Sequence, residues 1–425
     1  MKKKNWYPLD NAAKIYPPNT NEKSPFVFSF SASVKEEVNP ELLQKALNDL
    51  LLRFPTFKTQ LRRGLFWYYL EENRKPALVK EQPPHYLKQI TYDSNNGYLF
   101  EVFYFNNVIT MNFHHSLTDG TGGINFFLEL LFDYFKLMGY PLESEGVIRP
   151  SAAPYVIGES EDAFAPLDKK KEKFSPFEKL PYKFFGTPFE YDGCGIISAK
   201  CSVDQLKTVA KKYDASITEY LAGLYMYSIY KCFLKNKPIK NKLVKVLVPI
   251  NLRKHFKTQT VRNFALFVRL NHDFATDISL EQCIKLCKEQ MEEGLKIDKI
   301  EQMIHYNVKM EKNPFMKIVP LFIKDIAMKL TYLKVGENLQ SGDLSNIGLV
   351  KTPQCFNEYL KDITFLIGPN YRARQNFGVI GYNGNIYITS ARLYVESNLE
   401  RSFFKELAEN GVELTITSNY WEDQL

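Results

Sequence analysis

Two adjacent histidines are the residues of this 425-residue chain best suited to chemistry. The sequence holds only six histidines, and His114 and His115 stand together after an apolar segment, in the string NFHHSLTDGTGG. A general base that works near neutral pH is most often histidine, because the unperturbed pKa of imidazole is about 6.5. Side chains alternate along a strand, so the two rings should point to opposite faces. One histidine can therefore face a solvent-filled space while the other packs inward.

Asp119 and Gly120 follow in the same string and predict a sharp turn into a helix. Asp119 has two interpretations: a catalytic partner of the imidazole, or a structural anion that pairs with an arginine. The second is favoured, because an acid beyond the loop bend need not face the ring. Gly120 permits a close backbone approach that a side chain would block. In the alternative without chemistry, both histidines are simply polar residues with satisfied hydrogen bonds.

Other motifs with a known chemistry are absent from the sequence. There is no GxxxxGK[ST] loop, no GxSxG elbow, no HExxH and no CxxC. The cluster Gly120, Gly122 and Gly123 does not continue as GxGxxG, because Asn125 occupies the position of the next glycine. This argues against a dinucleotide site.

Cysteine usage indicates the compartment. Six cysteines are too few for a disulfide framework in a chain of this length, and we expect free thiols and a cytoplasmic location. Cys283 and Cys287 would share a helix face, but no neighbouring histidine completes a zinc set. We expect no metal site.

The elements that must position the histidines can be predicted from periodicity. Val108 to Phe113 alternates as a strand does, and the Asn106-Asn107 pair before it is a hairpin signal. Asn383-Gly384 is a second hairpin signal, and Asn39-Pro40 predicts the start of a helix. Ile124 to Phe135 has the spacing of an amphipathic helix. Residues 141 to about 190 are rich in proline, carry the basic run Lys169 to Lys173, and predict a long crossover.

Strands and helices are mixed in both halves without strict alternation, which indicates an α+β fold with two lobes. We predict an N-terminal lobe of residues 1–180, which carries the histidine pair and the crossover, and a C-terminal lobe of residues 181–425.

Charge and hydropathy exclude some classes of protein. The formal net charge of +7 is mild for this length, so we expect no nucleic-acid partner, whereas a small anionic ligand would suit it. The most apolar long stretch, Pro314 to Leu330, is interrupted by charged residues, and we expect a buried stripe on a helix rather than an integral membrane segment. Aromatic residues make up 14% of the chain, which indicates either a ligand tunnel lined with rings or codon bias.

The string HHSLTDG at His114 to Gly120 resembles the HHxxxDG signature of the chloramphenicol-acetyltransferase-like, CoA-dependent acyltransferases. These include alcohol acetyltransferases, plant BAHD acyltransferases and condensation domains of nonribosomal peptide synthesis, and the free-standing bacterial alcohol acetyltransferases look closest. VPINLRK at Val248 to Lys254 is similar to a family strand end whose arginine pairs with the motif aspartate, which nominates Arg253 for Asp119. RNFALFVRL at Arg262 to Leu270 and SNIG at Ser345 to Gly348 resemble further segments.

The resemblance implies two acetyltransferase-like lobes, each a mixed sheet with flanking helices, and an active-site tunnel between them. It implies that His115 is the general base, with His114 in support, Gly120 keeping the tunnel open, and Asp119 with Arg253 architectural. No cofactor would be bound. Acyl-CoA would be a co-substrate, and a small alcohol or amine would attack its thioester directly, without an acyl-enzyme.

Two alternatives stay open beside this reading. An acyl carrier protein acting in trans could supply the thioester, as in condensation-type enzymes, since no carrier segment is evident in the chain. A degenerate, non-catalytic family member that only binds a ligand is the other.

The sequence departs from the plant enzymes in one motif. Their DFGWG is replaced here by NFGVIG at Asn376 to Gly381, which leaves the oxyanion donor unassigned. Asn376 and Tyr382 are candidates for that donor. Arg372 and Arg374 could bind coenzyme A phosphates bidentately, although a solvated loop is the alternative.

Overall fold

The strand that ends in the histidine pair lies inside a mixed sheet. A computed structural model of the chain describes residues 4–85, 87–167, 178–190 and 193–419. The basic run Lys169 to Lys173 lies outside these residues. The strands are β1 (Trp6–Pro8), β2 (Val27–Val34), β3 (Thr59–Arg63), β4 (Tyr68–Glu72), β5 (Val79–Glu81), β6 (Phe100–Phe105), β7 (Val108–His114), β8 (Gly195–Ser202), β9 (Leu243–Asn251), β10 (Ala265–Asp273), β11 (Gly342–Leu349), β12 (Leu360–Ile367), β13 (Gln375–Tyr382), β14 (Asn385–Arg392) and β15 (Thr415–Ser418).

The α-helices of the described residues flank these strands. They are α1 (Tyr16–Asn19), α2 (Pro40–Arg53), α3 (Gly120–Leu137), α4 (Val203–Lys212), α5 (Ile217–Ile229), α6 (Leu280–Gly294), α7 (Ile297–Lys312), α8 (Pro314–Ile318), α9 (Leu321–Val335), α10 (Phe356–Tyr359) and α11 (Asn398–Glu409).

A five-stranded sheet, in the order β12-β2-β7-β6-β5, carries the histidines. The predicted hairpin between β6 and β7 is present, with Phe105 opposite Val108. At the other end of β7, His114 lies opposite Val27 of β2. The edge strand β12 comes from far along the chain and pairs antiparallel with β2. The first sheet is thus completed by residues beyond 181, while the division into residues 1–180 and 181–425 stays a prediction.

A seven-stranded sheet, in the order β10-β9-β11-β13-β14-β8-β15, forms the second lobe. Its strands are antiparallel except that β11 runs parallel to both β9 and β13. The turn between β13 and β14 is the predicted Asn383-Gly384 pair, and both residues have positive φ, 43° and 75°. Left-handed conformations at both positions match the right-handed twist of the flanking strands.

The two sheets meet where β12 lies against β13 and β14. Thr389 donates a hydrogen bond from its hydroxyl to the carbonyl oxygen of Phe365. At Gly378, a Cβ atom would stand 2.3 Å from the same carbonyl. Only glycine allows this approach, so the strand that completes the first sheet also joins it to the second.

The helices that cover the first sheet form where local signals place them. The Asn39 side chain accepts a hydrogen bond from Leu42 N and Pro40 occupies the first turn, so α2 begins as predicted. Helix α3 is apolar on almost every side and packs against α2 and β2. A second core lies between the seven-stranded sheet and helices α5 and α6.

One prediction about the helices is wrong. Pro314 to Leu330 was expected to bury its apolar stripe, but Ile318, Phe322, Ile326 and Leu330 are each more than half exposed. Helix α9 instead buries Leu321, Lys324 and Tyr332 against the rest of the protein. Periodicity identifies the apolar face of a helix, but it does not show whether that face packs against the rest of the protein. None of the helices in the described ranges has both the length and the apolarity to cross a membrane.

Candidate functional site

The backbone at the end of β7 fixes the histidine pair. His114 N donates to Leu99 O and His115 N donates to Phe26 O, both at 2.9 Å, so the strand stays anchored on both sides at its last residues. Leu117 N then donates to His114 O and turns the chain towards α3. The side chain of His114 is buried, whereas that of His115 is half-buried.

The imidazole of His114 is held in one tautomer. Its Nδ1 accepts a hydrogen bond from Ser116 N at 3.1 Å, which places the proton on Nε2. Nε2 lies 2.9 Å from the hydroxyl of Thr20, and that hydroxyl donates onward to Tyr16 O at 2.8 Å. Burial, together with the neighbouring His115, lowers the pKa of His114 to about 3. His114 is therefore a neutral, fully hydrogen-bonded residue.

The imidazole of His115 has a different environment. It stacks on Tyr16, with ring centroids 5.1 Å apart, and lies 4.7 Å from the ring of Phe28. Its Nδ1 is enclosed without a well-formed hydrogen bond to the described residues, although the residue as a whole is only half-buried. Burial lowers the pKa of His115 to about 4, against the opposing effects of Asp119 and the Thr118 backbone. The ring is therefore neutral at pH 7, and one of its two nitrogens carries a lone pair.

Asp119 makes contacts typical of an architectural residue. Oδ1 accepts from Gly122 N at 2.9 Å and caps α3. Oδ2 accepts from Arg253 Nη1 at 2.7 Å and from Phe264 N at 2.8 Å. The pairing of Arg253 with Asp119 that the resemblance implied is thus present. Arg253 also donates from Nε to Thr260 O, 3.0 Å away.

The glycines after Asp119 lie close to other elements. A Cβ on Gly120 would stand 2.7 Å from the terminal methyl group of Ile347, in the SNIG segment of β11. A Cβ on Gly122 would stand only 2.0 Å from Val261 O and 2.1 Å from the Thr118 hydroxyl. The sequence drew attention to Gly120, yet the stricter requirement for glycine is at Gly122.

Sequence reasoning missed a second set of residues around the histidines. Asn263 donates to His115 O at 3.0 Å and to Asp10 Oδ2 at 3.2 Å. Asp10 is completely buried, with Arg262 3.6 Å away, and burial raises its pKa to about 6. These contacts hold the N-terminal segment that carries Tyr16 and Thr20 to the imidazoles. No motif or periodicity in that segment signals this role.

The candidates for an oxyanion donor are occupied by other contacts. Asn376 donates from Nδ2 to Gly368 O at 3.3 Å and accepts from Asp343 N at 3.1 Å. The hydroxyl of Tyr382 is bonded to Asn357 and to Leu360 O. Both side chains are buried, and their role in stabilising an oxyanion stays a prediction.

Arg372 is connected to His115 through aromatic rings, whereas Arg374 is not part of that series. The guanidinium of Arg372 lies 5.8 Å from the ring of Tyr332. Tyr332 contacts Phe26, Phe26 contacts Tyr16, and Tyr16 stacks on His115. Arg374 lies over the rings of Phe185 and Tyr371, 4.6 Å from each.

Two further features concern the surroundings of the site: a cavity near Arg253 and the distribution of side chains that could bind a metal ion. A cavity of about 470 Å³ beside Arg253 is lined by Gly158, Glu161, Arg253, Lys257, Thr258 and Gln259, without His115. Within residues 4–85, 87–167, 178–190 and 193–419, no three His, Cys, Asp or Glu side chains are grouped as a metal ion would require.

Comparison with solved structures decides the fold. TRI101 from F. sporotrichioides, solved with coenzyme A and T-2, superposes with a TM-score of 0.63 at 12% identity, over 96% of this chain and 99% of that one. Polyketide synthase associated protein 5 from Mycobacterium tuberculosis gives a TM-score of 0.60 at 15% identity, over 91% and 96%. This chain has the chloramphenicol-acetyltransferase-like fold.

The same fold occurs in a condensation domain. That of the Monacolin K polyketide synthase MokA superposes with a TM-score of 0.56 at 12% identity, over 96% of both chains. No family model and no curated protein sequence matches the chain. The predicted two-lobed architecture of mixed sheets with flanking helices is therefore confirmed by structure, at identities too low to carry function.

Proposed function

We propose that the protein is an acyltransferase that moves an acyl group from a coenzyme A thioester to a hydroxyl or amine. The observation that carries this proposal is the half-buried imidazole of His115, which follows the last residue of β7, stacks on Tyr16 and is neutral at pH 7 because its pKa is lowered to about 4. TRI101, which shares the fold, was crystallised with coenzyme A, and this supports an acyl-CoA donor.

In the proposed reaction, His115 Nε2 accepts the proton of the acceptor hydroxyl or amine as its oxygen or nitrogen attacks the thioester carbonyl. The tetrahedral intermediate then collapses, the C–S bond breaks, and the imidazolium returns the proton to the departing thiolate. The products are the ester or amide and free coenzyme A. No acyl-enzyme forms, because the acceptor attacks the thioester directly.

The low pKa of His115 favours the removal of the acceptor proton, because it keeps the imidazole unprotonated. A base with a pKa of about 4 is almost wholly unprotonated at neutral pH, so every molecule carries an available lone pair. The same low pKa makes the imidazole a weak base, which requires proton transfer to be concerted with attack. For Nε2 to accept, the ring proton must be on Nδ1.

Other residues are assigned roles by position. We assign His114 a supporting role, because its tautomer is fixed by Ser116 and Thr20. Asp119 and Arg253 would hold the start of α3 in place, and Gly120 would leave space beside Ile347. Arg372 and Arg374 remain our candidates for contacting the donor phosphates.

A carrier-protein thioester is the second candidate donor. The similarity to the MokA condensation domain and to a polyketide synthase associated protein favours it. The chemistry at His115 would be unchanged, and only the group attached to the thioester sulfur would differ.

Product formation tests the proposal directly. Purified protein is incubated with acetyl-, medium-chain and long-chain acyl-CoA and pooled alcohols and amines, and the products are identified by mass spectrometry. We expect an ester or amide together with free coenzyme A. Turnover only with acylated carrier protein would support the second donor, and saturable ligand binding without turnover across the panel would contradict both.

A further inference from the structure

The exposed side of α9 forms an apolar surface. Within the described side chains, Phe322 and Ile326 are each 59% exposed and Leu330 is 56% exposed. Ile323 and Leu333 are also exposed, on the same side of the helix by its period of 3.6 residues. Ile318 of α8 and Leu65 of the β3–β4 turn are exposed near the start of α9, where Leu321 N donates to Leu65 O at 2.8 Å. We call these seven residues the α9 apolar face. Soluble monomers rarely expose a contiguous apolar patch of this kind without using it for binding.

Lysines border the apolar residues of the helix on both sides. On a helix of 3.6 residues per turn, the exposed apolar residues from Phe322 to Leu333 occupy an arc of about 100°. Lys329 lies about 20° beyond one edge of this arc and Lys334 about 20° beyond the other. Both lysines are exposed. An apolar centre with a lysine at each edge is typical of a helix that lies in a membrane interface, where the apolar side chains enter the lipid and the amines remain at the headgroups.

The opposite side of α9 is held firmly, so this orientation is a fixed feature of the fold. Lys324 is buried, donates from Nζ to Phe66 O at 2.9 Å, and lies 3.6 Å from the ring of Trp67. Asp325 accepts from Arg63 at 3.0 Å and from the hydroxyl of Tyr68 at 3.1 Å. The helix cannot rotate to bury its apolar face without breaking these contacts.

We propose that the α9 apolar face docks on the surface of an anionic lipid membrane. The charges favour this occupant over a second copy of the chain. Asp325 is the only acidic residue between Pro314 and Val335, and it is already paired. A symmetric dimer through this face would bring lysine borders together, and α9 itself has no unpaired acid to offset them. An anionic surface neutralises those same lysines, and the net charge of +7 favours approach to it. This proposal is independent of the proposed acyl transfer.

Vesicle flotation tests the proposal. The protein is mixed with vesicles of phosphatidylcholine alone or with added phosphatidylserine, at low and high salt. We expect binding to the phosphatidylserine vesicles that weakens with salt. Phe322→Ser with Ile326→Ser should lower the partition coefficient about tenfold or more, because two inserting side chains are lost. Lys329→Glu with Lys334→Glu should abolish the preference for phosphatidylserine.

Two control variants show whether vesicle binding depends on the α9 apolar face or on any loss of exposed apolar side chains or lysine charge. Leu52→Ser with Ile157→Ser removes two exposed apolar residues elsewhere, and Lys211→Glu with Lys285→Glu reverses two exposed lysines on α4 and α6. Both control variants should bind vesicles like the wild type. The proposal is overturned if the wild type does not float with phosphatidylserine vesicles, or if the Phe322 and Ile326 variant floats equally well. A wild-type dimer in analytical ultracentrifugation that this variant converts to a monomer, without vesicle binding, would instead assign the face to self-association.

Discussion

Arg253 Nη1 lies 2.7 Å from Asp119 Oδ2, and both side chains are almost completely enclosed. Asp119 caps the helix that follows the histidine pair, whereas Arg253 follows β9 of the seven-stranded sheet. The same carboxylate also accepts from the backbone of Gly122 and Phe264. One carboxylate thus connects the start of α3 to the second lobe, which supports the architectural role that we propose for it.

Removing the arginine should cost stability. In Arg253→Ala, the enclosed carboxylate of Asp119 loses its counter-charge, and we expect the free energy of unfolding to fall by about 3–5 kcal/mol. Urea denaturation measures this difference. Arg62→Ala, which breaks an exposed ion pair with Glu71, is the matched control and should change stability little. Equal losses in the two variants would contradict the architectural role.

Gly122→Ala and Gly120→Ala should differ in stability. At Gly122 the new methyl group would collide with backbone at Val261, and we expect a loss of about 1–3 kcal/mol or more despite the better helix propensity of alanine. At Gly120 the methyl group meets only the end of the Ile347 side chain, which can rotate, so we expect a change of about 1 kcal/mol or less. Thermal denaturation of both variants makes the comparison. The same loss at both positions would be inconsistent with the close approach at Gly122.

His115 should remain neutral in mildly acidic solution. Its pKa in the folded state is about 4, below the ordinary value of about 6.5. The difference contributes stability that is present above about pH 6.5 and is lost as the pH falls towards 4. NMR of ¹⁵N-labelled histidine, assigned with His115→Gln, should show no titration of this ring between about pH 8 and pH 5. A midpoint near 6.5 would show that burial does not lower the pKa of this ring.

The hydroxyl of Thr20 should stabilise the folded protein through its hydrogen bond with the imidazole of His114. Thr20→Val leaves the Nε2 proton of a buried imidazole without an acceptor, which should cost about 1–3 kcal/mol of stability. Thr20→Ser keeps the hydroxyl and should lie close to the wild type in chemical denaturation. If valine and serine behave alike, the hydrogen bond is not what holds the ring.

Local signals carried most of the fold prediction. The strand before His114, the hairpins at Asn106-Asn107 and Asn383-Gly384, and the start of α2 after Asn39 are all encoded within a few residues, so periodicity and capping reveal them. The pairing of Arg253 with Asp119 spans 134 residues and was accessible only through the resemblance of VPINLRK to a family segment.

Features that depend on distant contacts were not accessible. Asp10 and Tyr16 reach the histidines because Asn263 and Arg262 bind the N-terminal segment, and nothing in residues 8–20 indicates those partners. Strand β12 has ordinary strand periodicity, which cannot show that it pairs with β2 rather than with its neighbours in sequence. The exposure of the α9 apolar face was mispredicted because an amphipathic pattern does not identify what covers it.

We propose that His115 removes the acceptor proton, and the release of free thiol from the acyl thioester in the presence of an acceptor measures this step. We compare His115→Ala with His255→Ala, which removes an exposed histidine outside the site. Loss of general-base catalysis should lower the rate about 10²-fold or more in His115→Ala while its thermal denaturation stays close to that of the wild type. His255→Ala should retain full activity. Undiminished thiol release by a folded His115→Ala variant would show that His115 is not the general base.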